Sequence, residues 1–164
     1  MDILQLIKER RSVREFLDKK VSQDNIKRIL EAGRWAPSGR NNQPWKFFIV
    51  TDKNLKKKLA EQTHYGNIIR NSPVSIVVFL DHLVSYDRTK DVQSIGACIQ
   101  NMLLEAHSLG LGTCWLGEIL KNKEKVNKIF NISEDKELMA VIVLGYPTNT
   151  ERKSCRRDIK DILL

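Results

Sequence analysis

With 164 residues, 41% of them hydrophobic, the chain is long enough to close one core and too short for two large ones, so a single domain over 1–164 is expected. Cys98, Cys114 and Cys155 stand far apart with no CxxC pair, which argues against a disulfide framework or thiolate zinc site; the three histidines lack metal-like spacing, and no metal is predicted. The stretch MDILQLIKERR is broken by Gln5 and Lys8 too early for a signal segment, and the runs VSIVVFL and LMAVIVLGY fall far below the ~20 residues of a membrane-spanning helix, so a cytoplasmic protein without a membrane segment is expected.

In chain order, residues 2–9 read as a short helix with Asp2 at its N-cap, and Ser22 caps a second helix whose Ile26, Ile29, Leu30 and Gly33 share a face. Two prolines and several turn residues make 35–45 a shaped loop. A strand over about 46–51 follows, then a helix over about 53–62, whose lysine run reads as a solvated face beside the buried pair Leu55 and Leu59. Pro73 precedes a buried strand at 74–80. Residues 93–109 form a helix on which Ile95, Ile99, Met102, Leu103 and Ala106 recur, stopped by GLG at 110–112. A strand near 113–116, a helix near 122–130, a strand at 138–145 and a polar tail from Pro147 complete the chain. That order predicts an α+β fold with a mixed sheet covered by helices.

The net charge of +8 asks for an anionic partner, either a polyanion such as nucleic acid or a small phosphorylated ligand. Two arginine clusters stand out, KERRSVR at 8–14 and ERKSCRR at 151–157. In an extended stretch Arg10, Ser12 and Arg14 fall on one side, with Arg11 between them, and a phosphate monoester needs such converging donors. Gly110 and Gly112 end a helix instead of joining a strand to one, so they do not make a dinucleotide fingerprint. No nucleophile elbow or carboxylate pair is evident, so no side chain is predicted as a covalent or acid–base catalyst.

The segment PSGRNNQPW, residues 37–45, matches position for position the Pro-Ser-x-x-Asn-x-Gln-Pro-Trp signature of the FMN-dependent nitroreductase family, which the chain therefore resembles. The resemblance extends to the long helix and its GLGTCWLG turn and to the basic tail. It implies a mainly antiparallel central sheet, and a homodimer that exchanges C-terminal tails and places a flavin site at each subunit interface. Pro37, Ser38 and Gly39 would line the flavin ring from the opposite subunit, with Asn41, Gln43 and Trp45 holding the loop. Leu116 and Gly117 would meet the ring through backbone amides, Asn67 and Arg70 its edge, and Arg10, Arg11, Ser12, Arg14, Arg156, Arg157 and Lys153 the phosphate side. Many members carry an acid where Ser94 stands.

The implied activity is FMN-dependent oxidoreduction by a ping-pong scheme, with NAD(P)H as reductant and a nitroaromatic, a quinone or another flat molecule as acceptor; dehalogenating and azoline-oxidising specialists are family alternatives. A cofactor-free basic domain that binds nucleic acid is the reading from another class.

Overall fold

The computed structural model describes residues 2–149 and 153–164, so Glu151 and Arg152 of the second basic cluster lie outside the described residues. Among the described residues six α-helices, α1 (Ile3–Glu9), α2 (Gln23–Arg34), α3 (Lys53–Ala60), α4 (Gly66–Asn71), α5 (Arg88–Ser108) and α6 (Lys123–Phe130), enclose four strands, β1 (Trp45–Val50), β2 (Val74–Asp81), β3 (Gly112–Leu116) and β4 (Lys136–Gly145). The strands run in the order β1-β2-β4-β3, and every neighbouring pair is antiparallel. The expected mixed character is confined to an isolated parallel bridge between Ser12 and Thr113.

Local chemistry accounts for most element boundaries. The Ser22 hydroxyl accepts from the Asn25 backbone N–H at 3.2 Å, and the Asp52 carboxylate accepts from that of Leu55 at 2.9 Å, so α2 and α3 each begin on a side-chain cap. Asp2 occupies the N-cap position of α1 but makes no capping bond with its side chain. Helix α5 begins at Arg88, one turn earlier than the apolar repeat predicts, because Asp87 caps it through the Lys90 N–H at 3.1 Å. Its stop is as expected: Gly110 has a φ of +72°. Helix α4 is unforeseen; its six residues start at Gly66, and Tyr65 at the N-cap position makes no side-chain capping bond.

The sheet is covered on both faces. Ile76, Val78, Leu80, Ile142 and Leu144 face α2 and α5, while Val77, Phe79, Val141 and Val143 face α3, α4 and α6. All of β2 is buried. In the β2–β4 register, Val78 pairs with Ala140 and Phe79 with Leu138, so Met139 is the extra residue of a bulge. Helices α2 and α5 approach closely at Gly33, where a Cβ would stand 2.7 Å from Met102 Cγ.

The lysine run on α3 corrects its sequence reading. Lys56 is 9% exposed, and its Nζ donates to the Ser72 carbonyl at the end of α4 at 2.7 Å. Only its neighbours Lys53, Lys57 and Lys58 behave as an exposed face.

Candidate flavin site

The segment after α1 is docked edge-on to β3. The Val13 N–H donates to the Thr113 carbonyl at 2.8 Å, and Gly112 leaves the space Val13 fills, since a Cβ there would lie 2.6 Å from Val13 Cγ2. This fixes Arg10 and Ser12, both half-buried, beside the strand that ends at Leu116; Arg14 is exposed.

The two basic clusters meet. The Arg10 guanidinium is held below its usual pKa first by burial, then by the charges of Arg156, from the tail, and of Arg11. Arg11 turns back onto the end of α1, donating to the carbonyls of Lys8 and of Arg10, the latter at 3.0 Å. Arg156 donates to Ser154 Oγ at 2.6 Å and to the Cys155 carbonyl at 2.7 Å. Arg157 and Lys153 are exposed on the tail. Arg10 and Arg11 line a small cavity of about 110 Å³ together with His107, whose buried Nε2 has no hydrogen-bond partner among the described residues. Burial is the main influence lowering the His107 pKa; Glu9 opposes it, and Arg10 and Arg11 add to it. Converging cations and an orphaned imidazole nitrogen are a donor set suited to a phosphate.

At the other end of β3, Gly117 is exposed, with a φ of −100°, and a Cβ there would meet nothing within 4 Å. The next residue anchors the turn. Glu118 Oε2 accepts from Thr63 Oγ1 at 2.6 Å and from the His64 backbone N–H at 3.1 Å, and Glu118 also pairs with Lys121. These contacts, led by the one from Lys121, bring its carboxyl pKa down to about 2. The Gly117 turn is thereby tied to the loop that leads into α4, where Arg70 Nη1 donates to Asn67 Oδ1 at 2.7 Å. Glu118, which the sequence does not single out, thus ties the Gly117 turn to residues 63 and 64, just before the helix that carries Asn67 and Arg70.

The loop before β1 stores unusual backbone. Arg40, Asn41 and Gln43 have φ values of 55°, 55° and 48°, in the left-handed region where non-glycine residues are rare. Ser38 Oγ accepts from the Gln43 N–H at 3.0 Å, and Gln43 Nε2 donates to Asn41 Oδ1 at 3.3 Å, while Trp45 is buried at the start of β1. Asn42 supplies the anchor. Its Nδ2 donates to Asp91 Oδ1 at 2.7 Å and to the Val84 carbonyl at 3.1 Å.

Asp91, fully buried on α5, also accepts from Ser85 Oγ at 2.6 Å. Burial works to raise its pKa, but hydrogen bonds from Ser85, Asn42, Tyr86 and Asp87 outweigh it and hold the carboxyl below its ordinary value. Ser94, one turn after Asp91 on α5, donates to the Lys90 carbonyl at 3.0 Å. Pro37, Ser38 and Gly39 do not join the arginines through any described contact; Gly39 instead packs on Tyr86, whose ring lies 4.8 Å from the Arg40 guanidinium carbon.

Comparison with known proteins places this geometry. The model of the nitroreductase family matches residues 7–67 and 60–146. A relative from Methanothermobacter thermautotrophicus, provisionally named an NADH dehydrogenase/NAD(P)H nitroreductase, is 37% identical over 149 residues, covering 90% of this chain and 78% of its own. The NAD(P)H-dependent FMN reductase of Bacillus subtilis is 25% identical over 173 residues, covering 94% of this chain and 70% of its own. A provisionally named nitroreductase from Desulfovibrio desulfuricans, crystallised in complex with FMN, superposes with a TM-score of 0.96 at 42% identity, covering 100% of this chain and 96% of that one.

Proposed function

The chain belongs to the nitroreductase family, and on that premise we propose that it is a homodimeric flavin oxidoreductase that takes up one FMN per chain and passes reducing equivalents from NAD(P)H to a flat oxidised acceptor, a nitroaromatic or a quinone. The observation that carries this reading is the small cavity where Arg10 and Arg11 line a wall with the orphaned His107 Nε2, with the charge of Arg156 from the remote tail within electrostatic range of Arg10. Bound FMN would supply the two-electron carrier between reductant and acceptor. Arg10, Ser12 and Arg156 would hold its phosphate, with Arg11, Arg14 and Arg157 at the margin; Asn67 and Arg70 would hold its polar edge. The Gly117 N–H is a fixed backbone donor, and such donors stabilise developing negative charge without reorganising.

A second subunit completes the site in this reading. Helix α1 buries no residue, and its Ile3, Leu4 and Ile7 are exposed together with Ile159, Ile162, Leu163 and Leu164 of the tail. Gly96 on α5 faces open space. Such surfaces favour association through α1, α5 and exchanged tails, which would bring Pro37, Ser38, Gly39 and Asn41 of one subunit to the flavin ring held by the other.

A cytoplasmic, single-domain enzyme is consistent with this, and among the described residues no helix is long and apolar enough to cross a membrane. The stretch between β2 and α5 is short, which leaves room for reductant and acceptor to use one pocket in turn. Parallel initial-rate lines are then expected; intersecting lines would overturn the shared pocket. The whole proposal is tested by purification: a yellow protein that releases FMN on denaturation is expected, and a colourless one that ignores added FMN while retarding DNA would overturn it in favour of the nucleic-acid reading.

A further inference from the structure

Arg70 also lines a cleft of about 570 Å³ between α3, the end of α4 and the segment around Phe16. Its size falls within the roughly 300–1,000 Å³ typical of small-molecule sites. Lys53, Lys56, Lys57 and Arg70 line it, against Asp18 as the one acidic lining residue. Lys56 is nine-tenths buried as a residue, and its ammonium donates to one backbone carbonyl, that of Ser72, at 2.7 Å. Its pKa is lowered mainly by burial and next by the charge of Lys53, with Asp18 and Asp52 opposing; the Asp52 carboxylate is already engaged in capping α3. Cations gathered in a concave site, one of them desolvated, raise the local concentration of anions. Phe16 adds an apolar wall.

We propose that this cleft is a second anion site, one that takes the phosphate monoester of a phosphorylated nucleoside-sized molecule, and that Arg70 joins it to the flavin site. Lys53 and Lys57, exposed at the cleft, supply charge to the phosphate. Lys56 fixes the floor by holding the end of α4 in place. The phosphate has two chemical sources, the 2′-phosphate of NADPH or a free phosphorylated metabolite; only the first rests on the flavin reading.

Calorimetric titration of the purified protein with adenosine 2′,5′-bisphosphate separates the outcomes, because it needs no turnover. The wild-type protein should bind the bisphosphate and not adenosine. The double variant Lys53→Glu/Lys57→Glu should bind it at least tenfold more weakly, with unchanged circular dichroism and flavin content. A charge-matched control on other faces, Lys27→Glu/Lys125→Glu, should keep the wild-type affinity. No binding by the wild type, or equal losses in both double variants, overturns the site. If the bisphosphate competes with NADPH, and the Lys53/Lys57 variant raises KM for NADPH but not NADH, the source is the reductant. Binding without competition assigns the cleft to a separate metabolite. A colourless protein that still binds sinks the flavin reading alone, and a yellow protein that does not bind sinks the cleft alone.

Discussion

Strand β2 and the two chain ends obey opposite rules. Every residue of β2 is buried, hydrogen-bonded on both edges and covered on both faces, so its apolar side chains are satisfied within one chain. The ends carry comparable side chains to opposite effect: Ile159, Ile162 and Leu163 are each at least 66% exposed, and α1 buries nothing. The interior holds the fold. The periphery holds the arginines proposed to grip the cofactor, and its apolar residues make physical sense once a second surface covers them.

Deleting residues 148–164 tests that contrast most severely. The truncated chain should keep its circular dichroism spectrum but lose the dimer and more than a hundredfold in FMN affinity; a flavin-loaded monomer in light scattering would erase the distinction between the regions. A paired substitution sharpens it. Ile142→Ala should lower unfolding stability by about 2–5 kcal/mol, the cost of a cavity in a closed core, whereas Leu163→Ala should leave the monomer's stability unchanged and weaken the dimer. Equal effects in denaturant titrations would mean the tail is packed like the core.

Arg10→Ala should weaken FMN binding by about 1.5–3 kcal/mol, typical of a hydrogen bond to a charged group, and leave riboflavin nearly unaffected. Fluorescence titration with both flavins decides it, since equal losses would place Arg10 away from the phosphate. Within the folded body, Glu137 joins Arg88, at 2.9 Å, to His82 and Lys123. Its carboxyl is brought from 4.5 to about 2, chiefly by the hydrogen bond from Arg88. A depressed carboxyl stabilises the fold fully above its ordinary pKa and loses that contribution as pH falls toward its folded value. Melting temperature should therefore drop between pH 4.5 and 2 more steeply in the wild type than in Glu137→Gln; identical slopes would show the network to be inert. The smallest effect is expected for Gly117→Ala. With negative φ and open space at the Cβ, stability should stay within about 0.5 kcal/mol, while acceptor reduction slows if a bound ring occupies that space.

What could be read from the residues alone follows the range of the forces involved. Ser22, the periodic apolar face of α5 and the continuous run in β2 are local signals, and they located those elements. Helix α4 has no cap and too few residues for a period, so Asn67 and Arg70 were placed near the site without the element that carries them. The early start of α5 was hidden because Arg88, Thr89 and Lys90 add no apolar residue to its repeat. Lys56 looked like its neighbours, since nothing local reveals that the end of α4 folds over it. In the site, the loop signature marked 37–45, but its tether to Asp91 joins Asn42 to a residue 49 positions away. The nearness of Arg156 to Arg10 joins residues at opposite ends of the chain, so no local pattern marks it.

The bulge at Met139 has a consequence for how this chain tolerates change in length. Side chains alternate between faces along a strand, so removing one residue from β4 at most positions would exchange the inner and outer partners of all that follow, sending the Val141 and Val143 side chains toward α5 and Ile142 toward α6. At Met139 the ladder already carries one residue more on β4 than on β2. Deleting that residue would instead leave Leu138 opposite Phe79 and Ala140 opposite Val78 in an unbroken alternation, so the bulge is a position on β4 where one residue can be lost while every side chain that follows keeps its face.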